Sequence, residues 1–122
     1  MATLKRSDSV WEGYNFTLNG NNFFIGLFYF DKVNWPGTVY PALLLDKGTV
    51  DWEVIHQSDT IWDDVKEDIY TNPEDLAVSI IRQFNKVLEQ YQVGGELSYE
   101  EKLSNIFRFR LVLDKGFLKI NP

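Results

Sequence analysis

The apolar side chains of this 122-residue chain change their spacing near the middle of the sequence. Up to about residue 56, apolar and polar residues mostly alternate, which is typical of β-strands. From about residue 73, apolar residues recur every three or four positions, which is typical of an amphipathic helix. A chain of this length fits one domain, 1–122, so the two patterns must share one core.

The first half predicts an antiparallel meander of four strands. The strand-like runs are 10–18, 22–31, 38–45 and 49–56. Asn19 and Gly20 supply the commonest two-residue hairpin signal, and the compositions of 34–37 and 46–48 predict further turns. The run 22–31 has large apolar side chains on both faces, which predicts a central, covered strand. Pro41 predicts an edge position or a bulge.

The second half predicts two helices followed by two short strands. A helix-start signal at 71–75 and a helix stop at Gly94 and Gly95 bound one long helix, about 73–92. The capping-box pattern at 98–101 predicts a short helix, about 98–105. Apolar residues then alternate with Arg108 and Arg110, which predicts a half-exposed strand, a turn at 114–116 and a last strand. We therefore expect an α+β fold, with a mostly antiparallel sheet of five to six strands and both helices packed on one face.

The composition leaves few residues for catalysis or metal binding. There is no Cys, which excludes disulfides, thiolate nucleophiles and cysteine-ligated zinc or iron–sulfur sites. His56 is the one histidine, and we interpret it as the last residue of a strand at the rim of the sheet. No glycine-rich loop opens a helix, as a phosphate-binding loop would. We expect no enzymatic activity, no cofactor and no metal.

The distribution of charge and apolar residues also bears on location and on nucleic acids. The first eight residues lack the apolar stretch of a secretory signal, and the longest apolar run, 23–30, is far shorter than the roughly 20 residues that span a bilayer. We expect a cytoplasmic protein with no membrane contact. The net charge of −6 disfavours nucleic-acid binding, for which Arg108, Arg110 and Lys119 offer too few cations.

The acidic residues are concentrated in one segment. Residues 51–75 carry nine of the eighteen acids but a single base, Lys66. Four interpretations stay open for this segment: a Ca²⁺ or Mg²⁺ site, a paired-carboxylate hydrolytic site, a solvated loop that keeps the protein soluble, and a recognition surface for a basic partner. Trp52, Trp62 and Tyr70 lie among the acids, and such aromatic anchors are frequent in protein interfaces.

The leading hypothesis is a small acidic protein that binds and inhibits a basic protein partner. Immunity and anti-defence proteins of this kind occupy the nucleic-acid-binding cleft of a nuclease or toxin, and charge and size alone suggest the class. The expected partner-binding residues are Asp51, Glu53, Asp59, Trp62, Asp63, Asp64, Glu67 and Asp68.

Two alternatives belong to other functional classes. The first is a small-molecule binding domain with an aromatic-lined pocket between sheet and helix. Its expected lining is Phe23, Phe28, Tyr29, Tyr40 and Phe84. The second is an enzyme that uses a carboxylate together with His56 or a magnesium ion.

Overall fold

An antiparallel sheet and two helices make up the part of the protein that its computed structural model describes, residues 3–5, 10–58, 73–91 and 97–120. The elements are β1 (Thr3–Lys5), β2 (Val10–Leu18), β3 (Asn21–Asp31), β4 (Trp35–Asp46), β5 (Asp51–Gln57), α1 (Pro73–Leu88), a single 3₁₀ turn (Glu89–Tyr91) and α2 (Tyr99–Ile120). The strand order is β1-β5-β4-β3-β2, and all neighbours are antiparallel. The predicted α+β class and the predicted four-strand meander, β2 to β5, are confirmed.

The turns of the meander follow from side chains that tolerate or cap unusual backbone geometry. Asn19 and Gly20 both have positive φ, at 51° and 80°, and join β2 to β3 in a two-residue hairpin as predicted. The turn between β3 and β4 lies at 32–34 and not at the predicted 34–37, because the Asp31 carboxylate accepts the backbone N–H groups of Val33 and Asn34 and closes the turn earlier.

The central strand β3 is covered on both faces, which confirms the prediction made from its two-sided apolar pattern. Phe23, Ile25 and Leu27 point into the larger core, which the helices share, and Phe24 and Phe28 point into a smaller cluster on the opposite face. All five are almost completely buried. A sheet with two covered faces is therefore built around this strand.

Glycines make room for the ring of Phe24. A Cβ on Gly26 would stand 2.5 Å from the backbone oxygen of Glu12 and 2.8 Å from the Phe24 ring, and a Cβ on Gly13 would also collide with that ring. Gly13 and Gly26 face each other across β2 and β3. The ring thus packs over a glycine pair, where a side chain would have no space.

Helix α1 starts close to the predicted position and presents its apolar stripe to the sheet. Ala77, Ile80, Ile81, Phe84 and Leu88 are buried in the larger core. Acidic residues in the first turn and Lys86 in the last complement the helix dipole. Helix α1 contacts β5 and packs on α2, which in turn contacts β2 and β3. Both helices therefore cover the same face of the sheet, as expected.

The C-terminal part of the prediction is wrong. Residues 99–120 form one helix of 22 residues, in place of a short helix, two strands and a turn at 114–116. The described sheet has four long strands and the three-residue β1. It lacks the two C-terminal strands that were counted in the expected five to six strands. The apparent alternation arises because α2 has two apolar stripes: Phe109 and Leu113 are buried, and Phe107 and Leu111 are exposed. These two i, i+4 pairs together mimic a period of two.

Candidate functional site

Only two of the eight expected partner-binding residues lie among the described residues. The other six, Asp59, Trp62, Asp63, Asp64, Glu67 and Asp68, lie outside them. On β5, Asp51 is exposed, whereas the Glu53 side chain is 12% exposed and pairs with Lys47 Nζ at 2.6 Å. Trp52 packs edge-on against Phe24, with 5.8 Å between ring centroids, and so belongs to the smaller core cluster.

Many carboxylates of the described residues are engaged in local contacts. Arg110 lies within ion-pair distance of Glu74 (3.3 Å) and of Asp114 (3.4 Å), and Lys115 lies 3.8 Å from Glu12. The carboxylates of Asp31 and Asp46 accept backbone N–H groups in turns. For Asp31, hydrogen bonds from the Asn34 side chain and from the turn backbone lower the carboxyl pKa.

The net charge of the described ranges is small. They contain eleven acids and ten bases, whereas the remaining stretches contain seven acids and two bases. Of those, residues 59–72 alone carry five acids and one base, Lys66. The excess of negative charge thus belongs to the connection between β5 and α1, and the described framework is nearly neutral.

The outer face of α2 carries an apolar stripe that the sequence analysis missed. Leu103, Phe107 and Leu111 are 45%, 65% and 46% exposed, and their i, i+4, i+8 spacing aligns them along the helix. With 3.6 residues per turn, Phe107 lies nearly opposite the buried Phe109 and Val112. The signal for the stripe was present in this spacing, but the period-two interpretation of 106–113 concealed it.

The three residues of this stripe help to line a groove of about 500 Å³. Its lining consists of Glu74, Leu103, Ile106, Phe107, Arg110, Leu111 and Asp114. The apolar side chains come from α2, and the start of α1 contributes Glu74, one of the last acids of the segment 51–75. An apolar groove with charges at its border is typical of a helix-binding surface.

A buried polar network holds α2 in its orientation. Tyr14 Oη donates to the backbone oxygen of Asn105 (3.2 Å) and to its Oδ1 (3.3 Å), and Asn105 Nδ2 donates to Asn85 Oδ1 at 3.0 Å. Arg108 lies over the Tyr14 ring at 4.1 Å and donates to the backbone oxygen of Asn15. Burial raises the pKa of the Tyr14 hydroxyl, and the nearby Arg108 opposes this in part. The network joins β2, α1 and α2 through interactions that fix the helix rotation.

The expected aromatic pocket between sheet and helix is not formed by the five residues proposed for it. Phe23 and Phe84 are buried in the larger core, and Phe28 is buried in the smaller cluster, with Tyr40 packed against it, on the opposite face. The prediction failed because alternate residues of a strand point to opposite faces. A different cavity, of about 320 Å³, lies between the end of β2 and the start of α2.

His56, Arg108 and Arg110 make contacts within the fold. His56 Nε2 lies 3.5 Å from Gln83 Oε1, and its ring packs edge-on against Phe84, so the imidazole contacts α1. Arg108 and Arg110 lie on opposite flanks of α2 and do not share a strand face as predicted, since the segment is helical.

Comparisons with known proteins found no match to this chain: no family model, no curated protein and no solved structure. Among the described residues, no helix is long and apolar enough to cross a membrane. Within the same ranges, no group of three or more His, Asp or Glu side chains is placed to hold a metal ion.

Proposed function

We propose that the protein is a non-catalytic binding protein that engages a basic surface of another protein through its acid-rich segment 51–75. The observation that carries this proposal is the uneven charge: a nearly neutral framework and five acids against one base in residues 59–72. Such a concentration of like charge attracts an oppositely charged partner and accelerates encounter.

Many acids of the described residues already have local partners, so few of them are available for recognition, which supports this proposal. Glu53 is paired with Lys47, and Glu74 and Asp114 share Arg110, so these carboxylates are partly neutralised locally. Asp51 is exposed at the start of the same segment. The expected recognition set then narrows to Asp51 and the acids of 59–68, with Trp62 as an aromatic anchor.

The partner class that fits this charge is a protein with a basic cleft, such as a nuclease or a toxin that binds nucleic acid. An acidic protein can occupy that cleft by presenting carboxylates where the phosphates would bind. Inhibition would then result from occupancy alone and would require no reaction.

Affinity capture with charge variants tests this function. The immobilised protein should retain a basic protein from its native cell extract, and Asp63→Lys, Asp64→Lys, Glu67→Lys and Asp68→Lys combined should abolish that retention. A matched variant with Asn or Gln at the same four positions should bind weakly, because it removes the charge without reversing it. Retention should also fall steeply with added salt, since exposed charges are screened. Equal capture by the wild type and the reversed variant would refute the proposal.

A further inference from the structure

Helix α2 exposes more apolar surface than its place in the fold requires. Its inner face already fills the core through Phe109, Val112 and Leu113. A surface helix normally has a polar outer face, yet the outer face of α2 carries Leu103, Phe107 and Leu111. Contiguous exposed apolar side chains bordered by charged ones are typical of protein interaction sites.

The shape of this face suits a helical ligand. Three anchors at i, i+4 and i+8 form a stripe about 12 Å long, at 1.5 Å per residue, and they line the groove of about 500 Å³, which can receive side chains from a docked helix. Phe107 stands at the centre of the stripe and is its most exposed member. A large aromatic ring in this position is the expected anchor of a small interface.

The charges around the stripe select the chemistry of the ligand. Two cations lie near it, Arg110 and Lys115, and both are within ion-pair distance of carboxylates. Arg110 is shared between two acids, and Glu100 is exposed one turn before Leu103. The three acids Glu74, Glu100 and Asp114 exceed these two cations by one, so the border has a small net negative charge. A second copy of this chain would bring two acidic borders together, whereas a basic helix would complement the border.

From this geometry and charge we propose that the outer face of α2 is the docking site for a basic amphipathic helix of the partner protein, with Phe107 as the central anchor. The inference rests on the proposed function, because it assigns the basic partner a second contact, in a groove that Glu74 also lines. Lysine or arginine side chains of that helix face Glu100 and the negative charge that Glu74 and Asp114 retain while they share Arg110, and its apolar side chains enter the groove.

A synthetic helix provides the probe. A fluorescent 18-residue amphipathic peptide of Leu and Lys should bind the full chain in an anisotropy titration. A Leu/Glu peptide with the same pattern should not bind, because its charge is repelled, and a Lys/Ser peptide of equal charge should bind at least tenfold more weakly. Phe107→Ser should weaken binding of the Leu/Lys peptide at least tenfold. Val33→Ser is the matched control, since Val33 is 87% exposed in the turn between β3 and β4 and is not part of α2, so this substitution should not change binding.

Three results would overturn the docking site. The first is equal binding of the Leu/Lys peptide to the wild type and to Phe107→Ser. The second is amide chemical-shift changes that fall outside residues 99–115 and the start of α1. The third is sedimentation of the wild type as a dimer that Phe107→Ser converts to a monomer, because a second copy would then occupy the face. Phe107→Leu keeps an apolar side chain and should retain most of the binding, which separates a lost contact from misfolding.

The two proposals can fail separately. If a captured partner is released by reversal of the four acids but is retained by Phe107→Ser, the acidic segment functions as proposed and the docking site on α2 is wrong. If Phe107→Ser releases the partner and reversal of the acids does not, the docking site stands and the proposed function of the acidic segment is wrong.

Discussion

The buried pair Asn85 and Asn105 offers a quantitative test of how α1 and α2 are held together. Both side chains are almost fully buried, and one hydrogen bond of 3.0 Å joins Asn105 Nδ2 to Asn85 Oδ1. Asn105→Leu removes the donor and leaves the Asn85 oxygen buried without it. Asn85→Leu does the converse. A buried polar group that loses its partner costs about 1–3 kcal/mol, so we expect each single variant to lose about 2 kcal/mol of unfolding free energy.

The double variant should behave differently from the sum of the two. With Leu at both positions no polar group is left without its partner, and a matched apolar pair of similar shape is nearly neutral. Tyr14 Oη keeps the backbone oxygen of Asn105 as an acceptor at 3.2 Å. We therefore expect the double variant to be at least as stable as the less stable of the two single variants. The corresponding coupling energy is at least about 2 kcal/mol.

Equilibrium unfolding in urea, followed by tryptophan fluorescence, measures these differences. With an m-value of about 1.5–2 kcal/mol per molar, each single substitution should lower the midpoint by about 1 M. If the stability losses of Asn85→Leu and Asn105→Leu simply add in the double variant, the assignment of a shared, buried hydrogen bond is refuted. A loss of less than about 0.5 kcal/mol in either single variant would also refute this assignment.

Three further predictions follow from single contacts. Gly26→Ala should lower the free energy of unfolding by about 1–3 kcal/mol, because the new Cβ would meet a backbone oxygen and the Phe24 ring. Gly48→Asn is the control, since this turn position is open and has a φ that Asn tolerates. Thermal unfolding should show a much smaller loss of stability for the control. Hydrogen bonds lower the pKa of Asp31 below its ordinary value of 3.8, so its stabilising contribution is present at neutral pH and is lost as the pH falls through the lowered value. The stability difference between wild type and Asp31→Ala should accordingly shrink in acid, and a difference that grows there would contradict the turn contacts. Tyr14→Phe should leave the tyrosinate absorbance that forms near pH 10 unchanged, because burial raises the pKa of this hydroxyl; loss of one tyrosine's amplitude would show that Tyr14 is accessible.

Pro41 shows how a local rule can hold in a place that the sequence alone does not specify. Proline lacks the N–H that an interior strand needs, which predicted an edge or a bulge. Strand β4 is an interior strand, but β5 ends at Gln57, opposite Ala42, so Pro41 lies just beyond the ladder between β4 and β5. The Pro41 oxygen accepts the Ser58 N–H at 3.0 Å. Strand β4 therefore has a local edge at Pro41, as the sequence predicted, because the neighbouring strand β5 ends there.

The candidate site could be predicted only in part. The acid-rich segment is a property of sequence alone, since it needs no more than a count of charges. The outer face of α2 could not be assigned, because Leu103, Phe107 and Leu111 form a stripe only if the segment is helical. Likewise, the pairing of Glu74 with Arg110 joins residues far apart in the chain, and no local pattern indicates it.

Sequence by itself determined the four-strand meander and helix α1. Their signals are local: alternation, an Asn-Gly hairpin and a proline-led helix start each limit the backbone without distant contacts. Only the tertiary structure decided the conformation of residues 106–120, because their two apolar stripes fit both a strand and a helix. The helix is the conformation that buries Phe109 and Leu113 against the sheet and lets Asn105 bond both Tyr14 and Asn85. Packing and a satisfied polar network, and not local spacing, thereby place Phe107 on the outside.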